Sequence, residues 1–318
     1  MDQPTTHGLG RPPVGHMHLF TLVQSDTGYR HARLLIESLR VYGGPLSACP
    51  VWVFWLDSLG APEAYPGLEN VRFVPLHLPE ELDGIFFGAK VYACAIAERR
   101  AKEETRSLVW LNSQCLIVNP PVLLDLGPTV DAAFRPVHIQ NVGLTVQEPL
   151  DEFWGGIYRA VGLADTPLAV ESFLDTQRLR PYWNTHLFSI DPALGMLNRW
   201  LEVFATMARD PAFMSGPCQD VDHRVFLHQA ILSALLTKWL DWRRMRILPP
   251  EYSYPLHFHH RVLQARRPQA LNSQVCPVYE EAFRYPDTLN GLQALEPLST
   301  WLAGRAPGSD RCDSTVEG

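Results

Sequence analysis

The sequence predicts an α/β protein: a mostly parallel, mixed sheet with helices on both faces. Two observations carry this. Short apolar runs of strand length alternate with segments of helical period through the first half of the chain, joined by short links. The composition, 46% hydrophobic and 19% charged over 318 residues, supplies enough apolar surface for a sheet covered on both faces.

In chain order, residues 18–23 form an apolar run suited to a buried strand, and Gln24 to Gly28 interrupts it. Ala32, Leu35, Ile36 and Leu39 then fall on one helical face, and Gly43-Gly44-Pro45 ends that helix. Val51–Leu56 and residues 71–74 read as strands, 89–102 as a helix and 108–111 as another buried strand. The second half is less regular. Residues 132–134 and 186–190 suit strands, and 194–208 an amphipathic helix with Leu194, Leu197, Leu201, Phe204 and Ala208 on one stripe. Asp220 or Asp222 can cap a helix running to about residue 240, and 246–248 returns to the sheet. Residues 1–16, punctuated by proline and glycine, read as a flexible leader, and 304–318 as a disordered tail. One domain over 17–303 is the expectation, because no linker is long enough to divide it.

Several function classes are excluded early. A formal charge of −7 argues against a general electrostatic grip on nucleic acid. No stretch reaches 18 apolar residues, so no transmembrane segment is predicted, and no apolar signal core opens the chain. The six cysteines are scattered without a C-x-x-C pair, which suits buried thiols in a reducing compartment. A cytoplasmic protein is the expectation. No G-x-G-x-x-G opens the first helix, which disfavours a dinucleotide oxidoreductase.

Sheets of this class bind ligands outside the carboxyl ends of their strands. Five segments around such ends, taken in order, resemble GT-A-type glycosyltransferases of the glycogenin-like and galactosyltransferase-like group. They are Phe20-Thr-Leu-Val-Gln-Ser-Asp with its following helix; Lys90 in Phe87-Gly-Ala-Lys-Val-Tyr; Val109-Trp-Leu-Asn-Ser-Gln-Cys-Leu-Ile-Val-Asn-Pro; Tyr182-Trp-Asn-Thr-His-Leu-Phe-Ser-Ile-Asp; and Pro255-Leu-His-Phe-His. The resemblance implies a single GT-A-like domain, a nucleotide-diphosphate sugar as donor and a glycan, protein or small molecule as acceptor. It also exposes a departure. The family's D-x-D motif, which supplies carboxylates to a divalent metal, is here Asn112-Ser113-Gln114. Amides carry no charge to hold a hard cation, so no metal ligand is assigned and little or no metal dependence is expected. Asn112 and Gln114 then either contact the ligand or satisfy their own loop.

Without a metal, something else must offset the diphosphate. Residues 252–279 contain no acid but carry His257, His259, His260, Arg261, Arg266 and Arg267. His257, His259 and Arg261 are therefore candidate phosphate donors. His257 falls where the resemblance places a third metal ligand; lacking partners, it reads as a phosphate donor or a core histidine. Lys90 is a candidate phosphate or sugar contact, and Asp26 either caps its helix or touches base or ribose. Asn184 and His186 are candidate sugar contacts beside Tyr182-Trp183, an aromatic pair that either stacks on a sugar or belongs to the core. For catalysis, Asp220 and Asp222 lie near where relatives carry an acceptor-facing acid, with Glu152 a distant alternative. Two functions follow: a sugar transferase, or a catalytically silent relative that binds a sugar or a partner.

Overall fold

A computed structural model of the protein describes residues 16–305, apart from Ala61 and Lys102. The predicted leader and tail therefore lie almost wholly outside the described residues. The chain runs β1 (Met17–Val23), α1 (Asp26–Tyr42), β2 (Val51–Leu56), β3 (Val71–Leu76), α2 (Gly88–Arg100), β4 (Ser107–Leu111), β5 (Ala132–Pro136) and α3 (Glu152–Val161). A short hairpin, β6 (Val170–Glu171) with β7 (Arg178–Leu179), precedes β8 (Trp183–Ile190). Then come α4 (Met196–Ala208), α5 (Pro211–Ser215), α6 (Val221–Trp239), β9 (Met245–Ile247), β10 (Tyr252–Pro255), β11 (Cys276–Val278) and α7 (Leu298–Leu302).

Seven strands form one mixed sheet in the order β3-β2-β1-β4-β8-β5-β9. Strand β1 runs parallel to both β2 and β4, and β5 parallel to β9, while β8 is antiparallel to both its neighbours. The order turns back at β1: β2 and β3 lie on one side of it and β4 on the other. In open α/β sheets ligands bind outside the carboxyl ends of the strands near such a reversal.

The two-residue period of the strands explains why both faces are covered. Phe20, Leu22, Trp52, Phe54, Leu108 and Trp110 pack with α2, α3, α4 and α6 on one side. Leu19, Val23, Val51, Val53, Val109 and Leu111 pack under α1 on the other. A third cluster joins Tyr254, Leu256, Tyr279 and Leu298 and fastens the C-terminal segment to the sheet.

Local chemistry sets the element ends. The side chain of Ser25 accepts the Gly28 N–H and caps α1, so Asp26 is its first residue and not its cap. Asp220 caps α6 through the His223 N–H, which leaves Asp222 exposed in the first turn. Tyr182 and Trp183 are fully buried, which settles them as core and removes them from sugar stacking. Cys49, Cys94, Cys115, Cys218 and Cys276 are buried free thiols. Cys312 lies outside the described residues. No helix among the described residues is long and apolar enough to cross a membrane.

Candidate active site

The fourth and central strand, β4, ends at Leu111, and Asn112 begins the turn that leaves it. Its Oδ1 accepts the Gln114 N–H at 3.0 Å, and its carbonyl accepts the Cys115 N–H at 2.9 Å. At the same end of the sheet, where antiparallel β8 begins, Asn184 repeats the device: its Oδ1 accepts the His186 N–H at 2.7 Å. Both amides therefore brace their own backbone, Asn112 in the turn after β4 and Asn184 within β8.

A cavity of about 350 Å³ opens beside these two asparagines. Its wall draws Lys90 from α2, Asn112 and Gln114 from the β4 turn, and Asn184 and His186 from β8. His228 and Gln229 of α6 complete one side, and His257 and Glu280 of the C-terminal segment close another. Of the predicted site residues, six come together here: Lys90, Asn112, Gln114, Asn184, His186 and His257. The others do not line it. Asp26 is exposed on α1, Asp220 and Asp222 lie at the N-terminus of α6, and Glu152 lies exposed on α3. His259 is buried and its Nδ1 bonds the Tyr254 hydroxyl at 2.7 Å, so it serves the core. Arg261 is exposed and lies over the Phe258 ring, 4.8 Å from its centre.

Lys90 is buried rather than presented on a helix surface. Its ammonium donates to the Thr185 carbonyl at 2.7 Å and to the Thr185 hydroxyl at 2.9 Å. Burial pulls its pKa down to about 7, against a weaker opposing pull from Cys94 and Cys115. The Thr185 hydroxyl also meets His228 Nε2 at 3.1 Å, while His228 Nδ1 lies 2.9 Å from the Val225 carbonyl. That carbonyl can only accept, so the network assigns the proton to Nδ1 and leaves Nε2 to accept from Thr185. Lys90, Thr185 and His228 thus form a polar chain along one wall.

The same cavity carries a feature that sequence reasoning missed. Glu280 Oε1 lies 3.1 Å from His186 Nε2, and Oε2 lies 3.2 Å from His257 Nε2. One carboxylate bridges two imidazoles that are 71 residues apart in the chain. Burial raises the Glu280 pKa, but the His186 hydrogen bond and the two rings outweigh it and hold the carboxyl below its usual value. Burial lowers the pKa of His257, partly opposed by Glu280. His138 stacks on His186 with ring centres 5.6 Å apart, and its own Nε2 meets the Ser253 carbonyl.

No family model matches the chain, and no curated protein matches it. Solved structures do. The galactosyltransferase LgtC, in complex with donor and acceptor sugar analogs, is similar at 13% identity over 91% of this chain and all of that one, with a TM-score of 0.47. An active-site mutant of LgtC gives 13% identity, the same coverage and a TM-score of 0.46. Mouse xyloside xylosyltransferase 1, in its apo form, gives 11% identity over 82% of this chain and 97% of that one, with a TM-score of 0.44.

The residues at the turn do not fit a divalent metal of the D-x-D kind. Asn112 and Gln114 offer neutral oxygens, one of them already accepting a backbone N–H, and the imidazole of His257 faces Glu280. Among the described residues, no group of three or more His, Cys, Asp or Glu side chains is placed to hold an ion. A hard cation takes charged or carbonyl oxygens in greater number than this turn supplies.

Proposed function

We propose that the protein is a glycosyltransferase of GT-A-like architecture that uses a nucleotide-diphosphate sugar with little or no metal dependence. One observation carries the reading: six residues chosen from motif order in the sequence line a single cavity at the carboxyl end of the central strand. They come from four separate segments, so their convergence is a property of the fold and not of chain proximity.

In this reading the diphosphate lies between the two walls. His186 and His257 offer N–H groups to its oxygens, and Lys90 supplies charge from behind Thr185. The leaving diphosphate gathers charge as the sugar departs, so fixed donors aimed at it stabilise the transition state more than the bound donor. Asn184 and Gln229 offer amides to a sugar hydroxyl. With Asp220 and Asp222 outside the cavity wall, transfer rests on leaving-group stabilisation and on holding the acceptor in line.

Calorimetry with uridine and guanosine diphosphates, with manganese and with chelator, tests the binding half. A hydrolysis and transfer assay with the matching nucleotide sugars tests the catalytic half. Binding unaffected by chelator, together with donor turnover, is the expected result. Binding without turnover would favour the silent relative that binds a sugar or a partner, and no diphosphate binding would overturn the transferase.

A further inference from the structure

The His186–Glu280–His257 bridge points to a specific way in which the cavity holds its anion. We propose that Glu280 is a built-in anion: its carboxylate occupies a phosphoryl seat between His186 and His257, and a phosphorylated ligand binds by displacing it. This rests on the function proposed above and adds how access to that site is regulated.

Three observations support it. First, each imidazole aims Nε2 at a separate oxygen of the same carboxylate, while Nδ1 of both rings is buried without a partner. The anion seat is therefore the one polar contact that orients either ring, and a buried polar ring with a single partner is costly to leave empty. Second, Glu280 is the only acid among the residues lining the cavity, against Lys90 and the Nε2 groups of His186 and His257, while His138 and His228 turn a ring nitrogen to the Ser253 and Val225 carbonyls. A wall so composed selects an anion, and Glu280 is the one the chain provides. Third, Glu280 holds its backbone at φ +39°, in the left-handed region that a non-glycine residue rarely adopts. The segment keeps this conformation because Tyr279 fixes it on the N-terminal side. The Tyr279 ring is fully buried against His31, with ring centres 5.5 Å apart, and its N–H donates to the Gln114 carbonyl at 3.1 Å.

Tyr279 therefore anchors the backbone, while the Glu280 side chain remains about a third exposed. Displacement needs a side-chain rotation and no movement of the anchored backbone. A phosphoryl group entering the seat restores both N–H···O contacts and brings further acceptor oxygens that a carboxylate lacks. In the free protein, the carboxylate keeps the seat neutralised and weakens the capture of stray anions.

The test compares the full chain, Glu280→Gln and Glu280→Ala by calorimetry, with inorganic pyrophosphate and uridine diphosphate as probes. Removing the internal competitor should tighten pyrophosphate binding at least tenfold in both variants. The double variant Glu280→Gln/His257→Ala should lose that gain. Thermal melts report whether each variant folds, and the alanine variant serves should the glutamine amide itself bridge the rings. Unchanged or weaker pyrophosphate binding in folded Glu280 variants, while the parent still binds uridine diphosphate, would overturn the proposal and leave the functional reading intact. If no protein binds either probe, the seat is not a phosphoryl site, and both readings fall.

Discussion

The backbone N–H of Asn112 donates to the carbonyl of His186 at 2.7 Å. This bond extends the β4–β8 ladder one step beyond Leu111 and sets the turn after β4 beside the start of β8. Each side is braced by its own asparagine, Asn112 in the turn and Asn184 in the strand. The cavity wall is thus fixed by backbone hydrogen bonds of the central strands, and its amides are first structural and only then available to a ligand. That placement has consequences that can be measured.

Restoring carboxylates at the turn should create metal dependence. Aspartate keeps the acceptor that Asn112 presents to the Gln114 N–H, so the double variant Asn112→Asp/Gln114→Asp should fold with its turn intact. Two anionic groups then face the cavity, and a divalent cation becomes the natural bridge to a diphosphate. Uridine diphosphate binding should be insensitive to chelator in the parent and manganese-dependent in the variant. A parent that loses its affinity on chelation would contradict the reading of the turn.

Asp220 should matter for stability and not for the ligand. Its carboxylate accepts the His223 N–H at 3.0 Å and caps α6 from an exposed position. Losing such a cap costs about 1 kcal/mol, which in a chain of this size corresponds to a melting shift of roughly 1–2 °C. Asp220→Ala should melt earlier and bind uridine diphosphate as the parent does. Asp222→Ala, without a cap to lose, should melt normally. A large loss of turnover at unchanged stability would return Asp220 to the catalytic role that its sequence position suggests.

The basic C-terminal segment divides into a part that lines the cavity and a part that does not. His257 lines the cavity, whereas Arg261 lies outside its wall, over Phe258. A charge-assisted hydrogen bond contributes roughly 1.5–3 kcal/mol, so His257→Ala should weaken diphosphate binding by about ten- to a hundredfold. Arg261→Ala should weaken it less than tenfold, with a loss that shrinks as salt rises. Arg284→Ala, a remote control, should have no effect. Equal effects at 257 and 284 would mean that the imidazole is not a ligand contact.

These comparisons also show where the sequence was readable. The first half of the fold was legible because parallel strands buried on both faces are apolar at every position, as Val51–Leu56 is, and few other elements have that length and composition. The six cavity residues were legible through motif order around strand ends. Three things were hidden. Glu280 falls one residue past the acid-free stretch that drew attention to the segment, and nothing local marks it as a partner of His186. Thr185, His228 and Gln229 look like ordinary strand and helix residues until β8 and α6 are packed together. The burial of Lys90 was also unreadable, since a lysine on a helix gives no sign of which face it occupies. Asp26 was misassigned for a smaller reason: Ser25 and Asp26 are both good caps, and only the geometry of the Gly28 N–H chooses between them.

The buried Lys90 makes a prediction whose sign can be worked out in full. Its pKa in the folded protein is about 7, well below the 10.5 of an exposed lysine. Between those values the unfolded chain carries the proton and the folded chain does not. Stability rises with pH wherever the unfolded state binds more protons, so folding should strengthen as pH increases from about 7 towards 10.5. Below pH 7 both states are protonated, and the folded state bears the full cost of burying the charge. Lys90→Met removes the charge while keeping much of the packing against Phe87 and Trp110, and Trp110 Nε1 still satisfies the Thr185 carbonyl at 3.0 Å. The variant should therefore be the more stable protein at pH 6–7. Since each pKa unit of difference corresponds to about 1.4 kcal/mol, its advantage should shrink by about 2 kcal/mol between pH 7 and pH 9. Urea unfolding of both proteins across that range reads this directly. A parallel pH dependence in the two would show that Lys90 keeps its proton when folded. An anion in the cavity should also raise the Lys90 pKa, so diphosphate binding at pH 8 should take up protons in the parent and fewer in the variant. Calorimetry in buffers of different ionisation enthalpy measures that uptake, and equal uptake in both proteins would separate Lys90 from the ligand site altogether.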